Sequence, residues 1–425
     1  MGFFDWLADC INDISVSREN NKRQGLVRYK PCALGCFVET DAYERNTLVS
    51  GGNEQLRAEA IGSMCIAACN AHVPVVILHI GDEELIKELD RIFGTDPRLQ
   101  KIDEAHPYFD PFDGIDESRI SKLIQNSSNM KFPINATAAT YIDGMLDYMA
   151  SRGKLISARS MSKCPHDKLP QLLQQAGTNN TLTQAKVHDI LSKITQGSAE
   201  RATVKSYFKE LYDQCEVLMP SSTRSRRLSI PWAISNQCLL VMDVIEADND
   251  LLIRLVLQQM KDLAKKGIRF MVVLDNITIC PENGLDSFST MNSTRIRRVF
   301  SGTDLFSMCA GKKDTFNAIL GLCPKWFVFR HKAGASAKHW EAGFGQYMKI
   351  DTSYNYGTNT NRGTNWWLLG FGGSGSSGRT SGKTYTNRDE AVFRADALQK
   401  LGERAGLVYT EDPLELAYVD KFLAP

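Results

Sequence analysis

The sequence lacks an excess of charge of either sign, because 50 lysine and arginine residues stand against 49 aspartate and glutamate residues. Such a balance is not typical of a nucleic-acid-binding protein, although it is compatible with a local basic patch. The chain also lacks an apolar run of about 18 residues, the length that a membrane-spanning helix requires. Its start, MGFFDWLADCINDI, has neither the basic residues nor the cleavage site of a signal peptide. We therefore expect a cytoplasmic protein.

Spacings typical of metal sites are absent as well. The eleven cysteines are scattered without a CxxC pair, and the seven histidines form no HxH or HExxH pattern. We expect no structural metal, and we interpret the cysteines as free thiols in a reducing compartment.

The N-terminal segment is amphipathic, with Phe3, Phe4 and Leu7 on one predicted helical face. Two interpretations stay open: a terminal helix docked on the protein, or peripheral contact with a membrane. No lysine or arginine precedes Arg18, which favours the docked helix, because membrane-surface helices are usually basic.

Gly382, Lys383 and Thr384 form a triplet that resembles the end of a phosphate-binding loop. That motif needs an earlier glycine at a fixed distance, but position 377 is a serine, and Gly378 is one residue too close. The surrounding stretch is rich in glycine and serine, so we expect a flexible loop here and no phosphate site.

Strand-like and helix-like segments alternate along most of the chain, which predicts an α/β fold with a central, mostly parallel sheet. The strand-like runs are dense in apolar residues, as buried parallel strands are. They occupy 74–80, 238–244, 269–275 and 325–329. Segments 54–71 and 248–265 have helical spacing.

Segment 137–227 interrupts this alternation, because it has helical periodicity and no strand-like run. We predict an all-α insertion of four to five helices in one α/β domain. The predicted parts of the chain are an N-terminal helix with its lead-in at 1–40, the first part of the α/β domain at 41–136, the insertion at 137–227, and the second part of the α/β domain at 228–425.

Three features suggest a family. A strand, a glycine turn and a helix lie between Leu48 and Met64, and the run RFMVVLDNI places Asp275 after a strand, as in a Walker B motif. The later order of segments ends in spaced residues that mark a helix-to-strand turn: Leu398, Leu401, Gly406 and Val408. Together these features resemble the type IV secretion coupling proteins of the TraG/TraD class, within the FtsK–HerA group of ring-forming P-loop motors.

This resemblance implies a RecA-like P-loop core, ATP and Mg²⁺ as ligands, assembly into a ring such as a hexamer, and DNA as a partner. It also assigns functional positions by the order of elements. The implied nucleotide-binding residues are Ser50, Gly51, Gly52, Asn53, Arg57, Asp275 and Thr303, with Asp304 as the alternative to Thr303. Asp275 would hold Mg²⁺, and Arg330 would act in trans at a neighbour's site.

The departures from the family pattern concern catalysis. No GK[ST] follows Gly52, so the lysine that pairs with phosphates is missing, and Glu54 brings negative charge to the same place. Asn276 stands where the family has a glutamate that activates water, and an amide cannot take a proton. The sequence therefore predicts a degenerate ATPase that does not hydrolyse ATP efficiently.

Three functions stay open. In the first, the chain is a pseudo-ATPase in a ring, or in a complex with an intact motor homologue, and recruits DNA or protein cargo to a secretion or transfer machine. Its place would then be the cytoplasm or the periphery of the inner membrane. The alternatives are an active DNA translocase with unconventional residues such as Arg57, and a purely structural scaffold. The arginines at 295, 297 and 298 would line a pore or lie on a solvated element.

Overall fold

The computed structural model describes residues 3–38, 44–222, 225–244, 250–360 and 377–424, with side chains except at 3–9, 354–360 and 377–383. The described strands are β1 (Leu26–Tyr29), β2 (Cys32–Ala33), β3 (Thr47–Ser50), β4 (Val75–His79), β5 (Leu99–Ile102), β6 (Leu239–Asp243), β7 (Phe270–Asp275), β8 (Ile296–Gly302), β9 (Lys325–Phe329), β10 (Gln346–Thr360), β11 (Ser377–Ala391), β12 (Gly406–Glu411), β13 (Leu414–Val419) and β14 (Phe422–Leu423).

The described helices are α1 (Phe3–Gln24), α2 (Glu54–Asn70), α3 (Glu83–Phe93), α4 (Glu117–Ser127), α5 (Ala136–Ser151), α6 (Ala158–Ser162), α7 (Leu169–Thr178), α8 (Gln184–Gln196), α9 (Arg201–Cys215), α10 (Ile230–Ser235), α11 (Asp250–Lys265), α12 (Leu285–Thr290), α13 (Leu305–Met308), α14 (Lys313–Leu322), α15 (Gly334–Phe344) and α16 (Ala395–Gln399).

Ten of the described strands form one sheet in the order β1-β13-β12-β9-β3-β8-β7-β4-β6-β5. The seven strands from β9 to β5 pair in parallel, and β12 is antiparallel to both β9 and β13. Helices cross between the parallel strands, because parallel neighbours need long connections. The predicted α/β fold with a mostly parallel central sheet is thereby confirmed.

Helices cover both faces of this sheet. In β7, Met271 and Val273 pack on the side of α2 and α3, whereas Val272 and Leu274 pack on the side of α11 and the other helices. Successive strand residues point to opposite faces, so an uninterrupted apolar run fits a strand that is buried on both sides.

The described residues 128–222 contain helices and no strand, and α5 to α9 lie within them. Their shared core includes the fully buried rings of Tyr141, Tyr207 and Phe208. This core is continuous with the side of the sheet that carries α11. How the chain divides into domains at 136 and 227 stays a prediction.

The glycine- and serine-rich stretch differs from its prediction. Residues 377–391 form β11, which pairs with β10 in an antiparallel hairpin from Gln346↔Ala391 to Thr360↔Ser377. The threonines and tyrosine of β11 favour extended backbone, and a long partner strand offsets the cost of its glycines. The triplet 382–384 therefore lies inside a strand, where it has no loop with which to hold phosphate.

Helix α1 packs against this hairpin. The Asn20 side chain donates to the Ile350 carbonyl oxygen at 3.0 Å and accepts the Ile350 N–H at 2.8 Å, as a neighbouring strand would. Peripheral membrane contact through Phe3, Phe4 and Leu7 was the alternative interpretation of this helix, and these three side chains are not among those that the structure describes. Within the described part of the chain, no helix combines the length and the apolar character needed to cross a membrane.

Both interpretations of the arginine cluster are wrong for Arg298. This residue lies in β8 with only 1% of its surface exposed, and its guanidinium lies 5.4 Å from the Phe288 ring centroid. It also donates to the Met291 carbonyl oxygen. Burial lowers the pKa of Arg298 to about 10. The residue is part of the core, where it neither meets solvent nor lines a pore.

Candidate functional site

The residues assigned by resemblance lie at the carboxyl edge of the central sheet. Strands β3, β8 and β7 are parallel neighbours, with Ser50 in register with Gly302 and Asp275 in register with Ser301. The carboxyl ends of parallel strands are where open α/β sheets bind ligands. The fold thus brings together the β3–α2 loop, the end of β7 and the β8–α13 loop.

The loop between β3 and α2 is short and closed by backbone hydrogen bonds. Gly51 and Gly52 have φ angles of 84° and 74°, which glycine adopts without strain. The Gly51 N–H donates to the Gly302 carbonyl oxygen at 3.1 Å, and the Gly52 N–H donates to the Arg330 carbonyl oxygen at 2.9 Å. Both amides are therefore occupied by the ends of the two neighbouring strands, β8 and β9.

The same loop is tightly packed. A Cβ atom at Gly51 would lie 2.9 Å from the Arg330 carbonyl oxygen and 2.9 Å from the His331 ring. A Cβ atom at Gly52 would lie 2.9 Å from the Phe329 Cβ. Real Cβ atoms do not approach other heavy atoms so closely, so only glycine fits at either position.

Helix α2 starts with a side-chain cap and then buries a cation. Asn53 accepts the Leu56 N–H at 2.8 Å, which satisfies one of the free amides of the first turn. Arg57, one turn further on, is 1% exposed, and its Nε and Nη2 have no hydrogen-bond partner in the described chain. A buried charge without full partners is costly, which makes Arg57 the most unusual residue of this helix.

Asp275 is fully buried at the end of β7, and its Oδ1 has no hydrogen-bond partner among the described residues. Burial, with a smaller contribution from the Asp82 carboxyl, raises the pKa of Asp275 to about 8, and the Ser301 hydroxyl and, to a lesser extent, the Arg57 guanidinium only partly oppose this. Asp82 is itself buried and caps α3 by accepting the Leu85 N–H at 2.9 Å. Burial therefore favours the neutral, protonated form of the Asp275 carboxyl.

Asn276 fastens the end of β7 to the end of β8. It has a φ of 55°, and its Nδ2 lies 3.4 Å from Asp275 Oδ2, to which it donates. Its Oδ1 accepts the N–H of Thr303 at 3.1 Å, and its own N–H donates to the Ser301 carbonyl oxygen at 2.9 Å. The polar groups of Asn276 are thus engaged in holding the β8–α13 loop, while the Thr303 side chain is exposed.

His331 fills the space beside the β3–α2 loop, and motif reasoning missed it. Its Nε2 lies 3.3 Å from Ser50 Oγ, which also accepts the Leu305 N–H at 3.3 Å. Burial lowers the pKa of His331 to about 4, although Asp304 opposes the shift. The signal in the sequence that could have identified His331 was its position, one residue after the end of a buried strand. Arg330, the predicted trans arginine, is half-buried beside it.

A buried ion pair behind the loop was also missed. Glu59 of α2 is 3% exposed and accepts both terminal nitrogens of Arg404, with Nη1 at 3.1 Å from Oε1. The Arg404 Nε donates to the Phe422 carbonyl oxygen at 2.7 Å. This pair fixes α2 to the C-terminal strands. The two residues are 345 positions apart in the sequence, so no local pattern could indicate it.

Among the described residues, no group of three or more His, Cys, Asp or Glu side chains is arranged to hold a metal ion. At the position predicted for Mg²⁺, Asp275 has the Asp82 carboxyl and the buried Arg57 guanidinium as its charged neighbours.

No protein-family model and no curated protein matches the chain. Solved structures of the conjugative coupling protein TrwB do match. The unbound form has a TM-score of 0.52 at 11% identity and covers 91% of this chain and 86% of that one. The complex with a non-hydrolysable GTP analogue has a TM-score of 0.54 at 10% identity, covering 97% and 92%. The complex with ADP and Mg²⁺ has a TM-score of 0.53 at 11% identity, covering 97% and 91%.

These likenesses extend over nearly the whole chain at very low identity, and they show its fold. The chain has the fold of the TrwB structures, which confirms the fold expected from the resemblance.

Proposed function

We propose that this chain is a coupling-protein-like subunit that keeps the motor fold and no longer uses ATP. It acts in a ring, or in a complex with an intact motor homologue, and recruits DNA or protein cargo to a secretion or transfer machine. The fold of the TrwB coupling protein supports the type of machine. The backbone amides of Gly51 and Gly52, which are already hydrogen-bonded to the neighbouring strand ends, support the loss of ATP use.

One observation carries this proposal: the backbone amides of the β3–α2 loop are hydrogen-bonded to the ends of β8 and β9. A phosphate-binding loop works because its backbone N–H groups point at the phosphates and have no other partner. Here the N–H groups of Gly51 and Gly52 donate to carbonyl oxygens of the neighbouring strand ends. A phosphate would have to displace both hydrogen bonds and would gain no lysine in exchange.

The residues of the site do not fit a bound nucleotide with Mg²⁺. The His331 ring packs so closely on the β3–α2 loop that a Cβ atom at Gly51 would collide with it. The space in which a phosphate-binding loop would hold phosphate is therefore filled by this side chain. Metal ligands must be deprotonated, and the burial of Asp275, which raises its pKa, opposes the loss of that proton. Asn276 cannot act as a general base, and its acceptor oxygen already holds the N–H of Thr303.

A second candidate function rests on Arg57. Its Nε and Nη2 are buried without hydrogen-bond partners among the described residues, and its charge acts on Asp275, so a cation is present near the site in an unconventional position. If the loop opened, Arg57 could pair with a phosphate, and the chain would be an active DNA translocase.

Hydrolysis distinguishes the two functions. We expect the full chain, with or without DNA, to release phosphate from Mg-ATP no faster than its Asp275→Ala variant does. An activity that the substitution abolishes would overturn the first proposal and support the second.

The mass distribution of the purified chain, measured by mass photometry, tests ring assembly separately. A strictly monomeric chain that also forms no complex with a motor homologue would contradict the role as a ring or complex subunit.

A further inference from the structure

A cavity of about 700 Å³ lies between α4 and the C-terminal end of α11, and the proposed function does not use it. Cavities of this size commonly bind small molecules or short chain segments. Its residues come from the turn before α4, from α4 itself, from α10 and from α11. None of the residues at the β3–α2 loop lines it.

The cavity has an apolar patch, to which all of these elements contribute. Ile115 precedes α4, Leu123 lies on α4, Pro231 lies in α10, and Leu263 lies in α11. Leu123 and Leu263 also belong to the main core, so this wall is fixed by the packing of the fold. An apolar side chain of a ligand would therefore be removed from water here without rearrangement of the protein.

One buried polar atom in the wall lacks a partner. Gln259 is 2% exposed, and its Nε2 donates to the Pro111 carbonyl oxygen, which orients the amide. Its Oε1 has no hydrogen-bond partner in the described part of the chain. Buried acceptors are nearly always satisfied, so an unpaired one in a cavity wall indicates an N–H or O–H donor from a ligand.

Cationic side chains outnumber anionic ones around the opening. Arg119 and Lys122 lie on α4, and Lys265 and Lys266 lie at the end of α11, and all four are exposed. Asp116 and Asp262 also line the cavity, which leaves a net charge of +2 from these six residues, that is four positive minus two negative. The rim therefore attracts an anionic ligand and still offers carboxylates to N–H donors.

We propose that this cavity binds an acidic peptide segment of a partner protein. An apolar side chain of the segment contacts the apolar patch, a backbone N–H donates to Gln259 Oε1, and carboxylates on either side pair with Arg119, Lys122 and Lys266, whereas Lys265 already pairs with Asp262. The proposal stands apart from the nucleotide question, because the two sites share no residue.

A nucleic acid fits these observations less well. Among the described residues that line the cavity, none is aromatic, whereas proteins that bind single strands stack bases on aromatic rings.

The test uses the full chain and fluorescein-labelled short peptides in which Asp or Glu alternates with a degenerate apolar residue. We expect saturable binding by fluorescence anisotropy that weakens as salt is raised. The same peptides with Lys in place of the acids, and an oligothymidylate of equal charge, serve as competitors. Neither should displace the acidic peptides.

Variants assign the binding to the cavity. The double substitution Lys122→Glu with Lys266→Glu should weaken the affinity at least about tenfold, because it reverses the net charge of the rim. Gln259→Leu should weaken it about fivefold by removing the acceptor. The double substitution Lys186→Glu with Lys209→Glu, an equal charge change on the exposed faces of α8 and α9, should leave it unchanged.

Thermal unfolding of each variant shows whether the chain remains folded. The proposal is overturned if the acidic peptides do not bind saturably, if the double charge reversal leaves their affinity unchanged, or if the oligothymidylate competes for the site.

Discussion

The buried carboxyl of Asp275 should make the stability of the chain depend on pH in a specific way. Burial raises the pKa of Asp275 to about 8, whereas an unfolded aspartate titrates near 4. Between these values the folded chain keeps a proton that the unfolded chain releases. The stabilising effect is complete below about pH 4 and is lost as the pH rises to about 8.

The substitution Asp275→Asn isolates this effect, because the amide stays neutral at every pH and has nearly the same shape. One proton changes the free energy of unfolding by about 1.4 kcal/mol per pH unit. The stability of the variant minus that of the wild type should therefore rise by about 3 kcal/mol from pH 5 to pH 7. Denaturant titrations at several pH values measure this difference.

Asp213→Asn is the matched control, because Asp213 lies exposed on α9. Its stability should follow that of the wild type across the same pH range. A difference between Asp275→Asn and the wild type that does not change with pH would show that the Asp275 carboxyl is ionised in the folded chain. The conclusion that burial keeps the Asp275 carboxyl protonated would then be wrong.

Two further substitutions test the packing around the loop. Gly51→Ala should lower the free energy of unfolding by about 1–3 kcal/mol, because it combines a positive φ with a Cβ collision, whereas Gly321→Ala, with open space around it, should have little effect in the same denaturant titration. Arg404→Ala should cost about 3–5 kcal/mol by leaving Glu59 buried and unpaired. Adding Glu59→Gln to that variant should restore part of the loss, and a purely additive double variant would contradict a buried pair.

The sequence predicted the central sheet well, for a physical reason. Strands such as β4, β7 and β9 are buried on both faces, so their residues are continuously apolar and recognisable without any partner. The position of Asp275 after such a strand was equally visible. The likeness to TrwB then confirms the fold that the order of these segments suggested.

The features that decide the chemistry of the site could not be predicted in the same way. Whether the Gly51 and Gly52 amides are free depends on β8 and β9, which lie hundreds of residues away along the chain. The pairing of Glu59 with Arg404 depends on a distant partner in the same way. The β10–β11 hairpin was missed because its glycines suggest a loop, while its long pairing favours a strand.

A measurement of Mg-ATP binding to the full chain is the most direct test of the claim that the β3–α2 loop does not hold a nucleotide. Equilibrium dialysis with labelled ATP, at millimolar Mg²⁺ and near-neutral pH, measures it without requiring turnover. We predict no saturable binding at millimolar ATP and no difference between the wild type and Asp275→Ala. Saturable binding that is lost in both Asp275→Ala and Arg57→Ala, with both variants folded, would contradict the proposal that this chain no longer binds ATP.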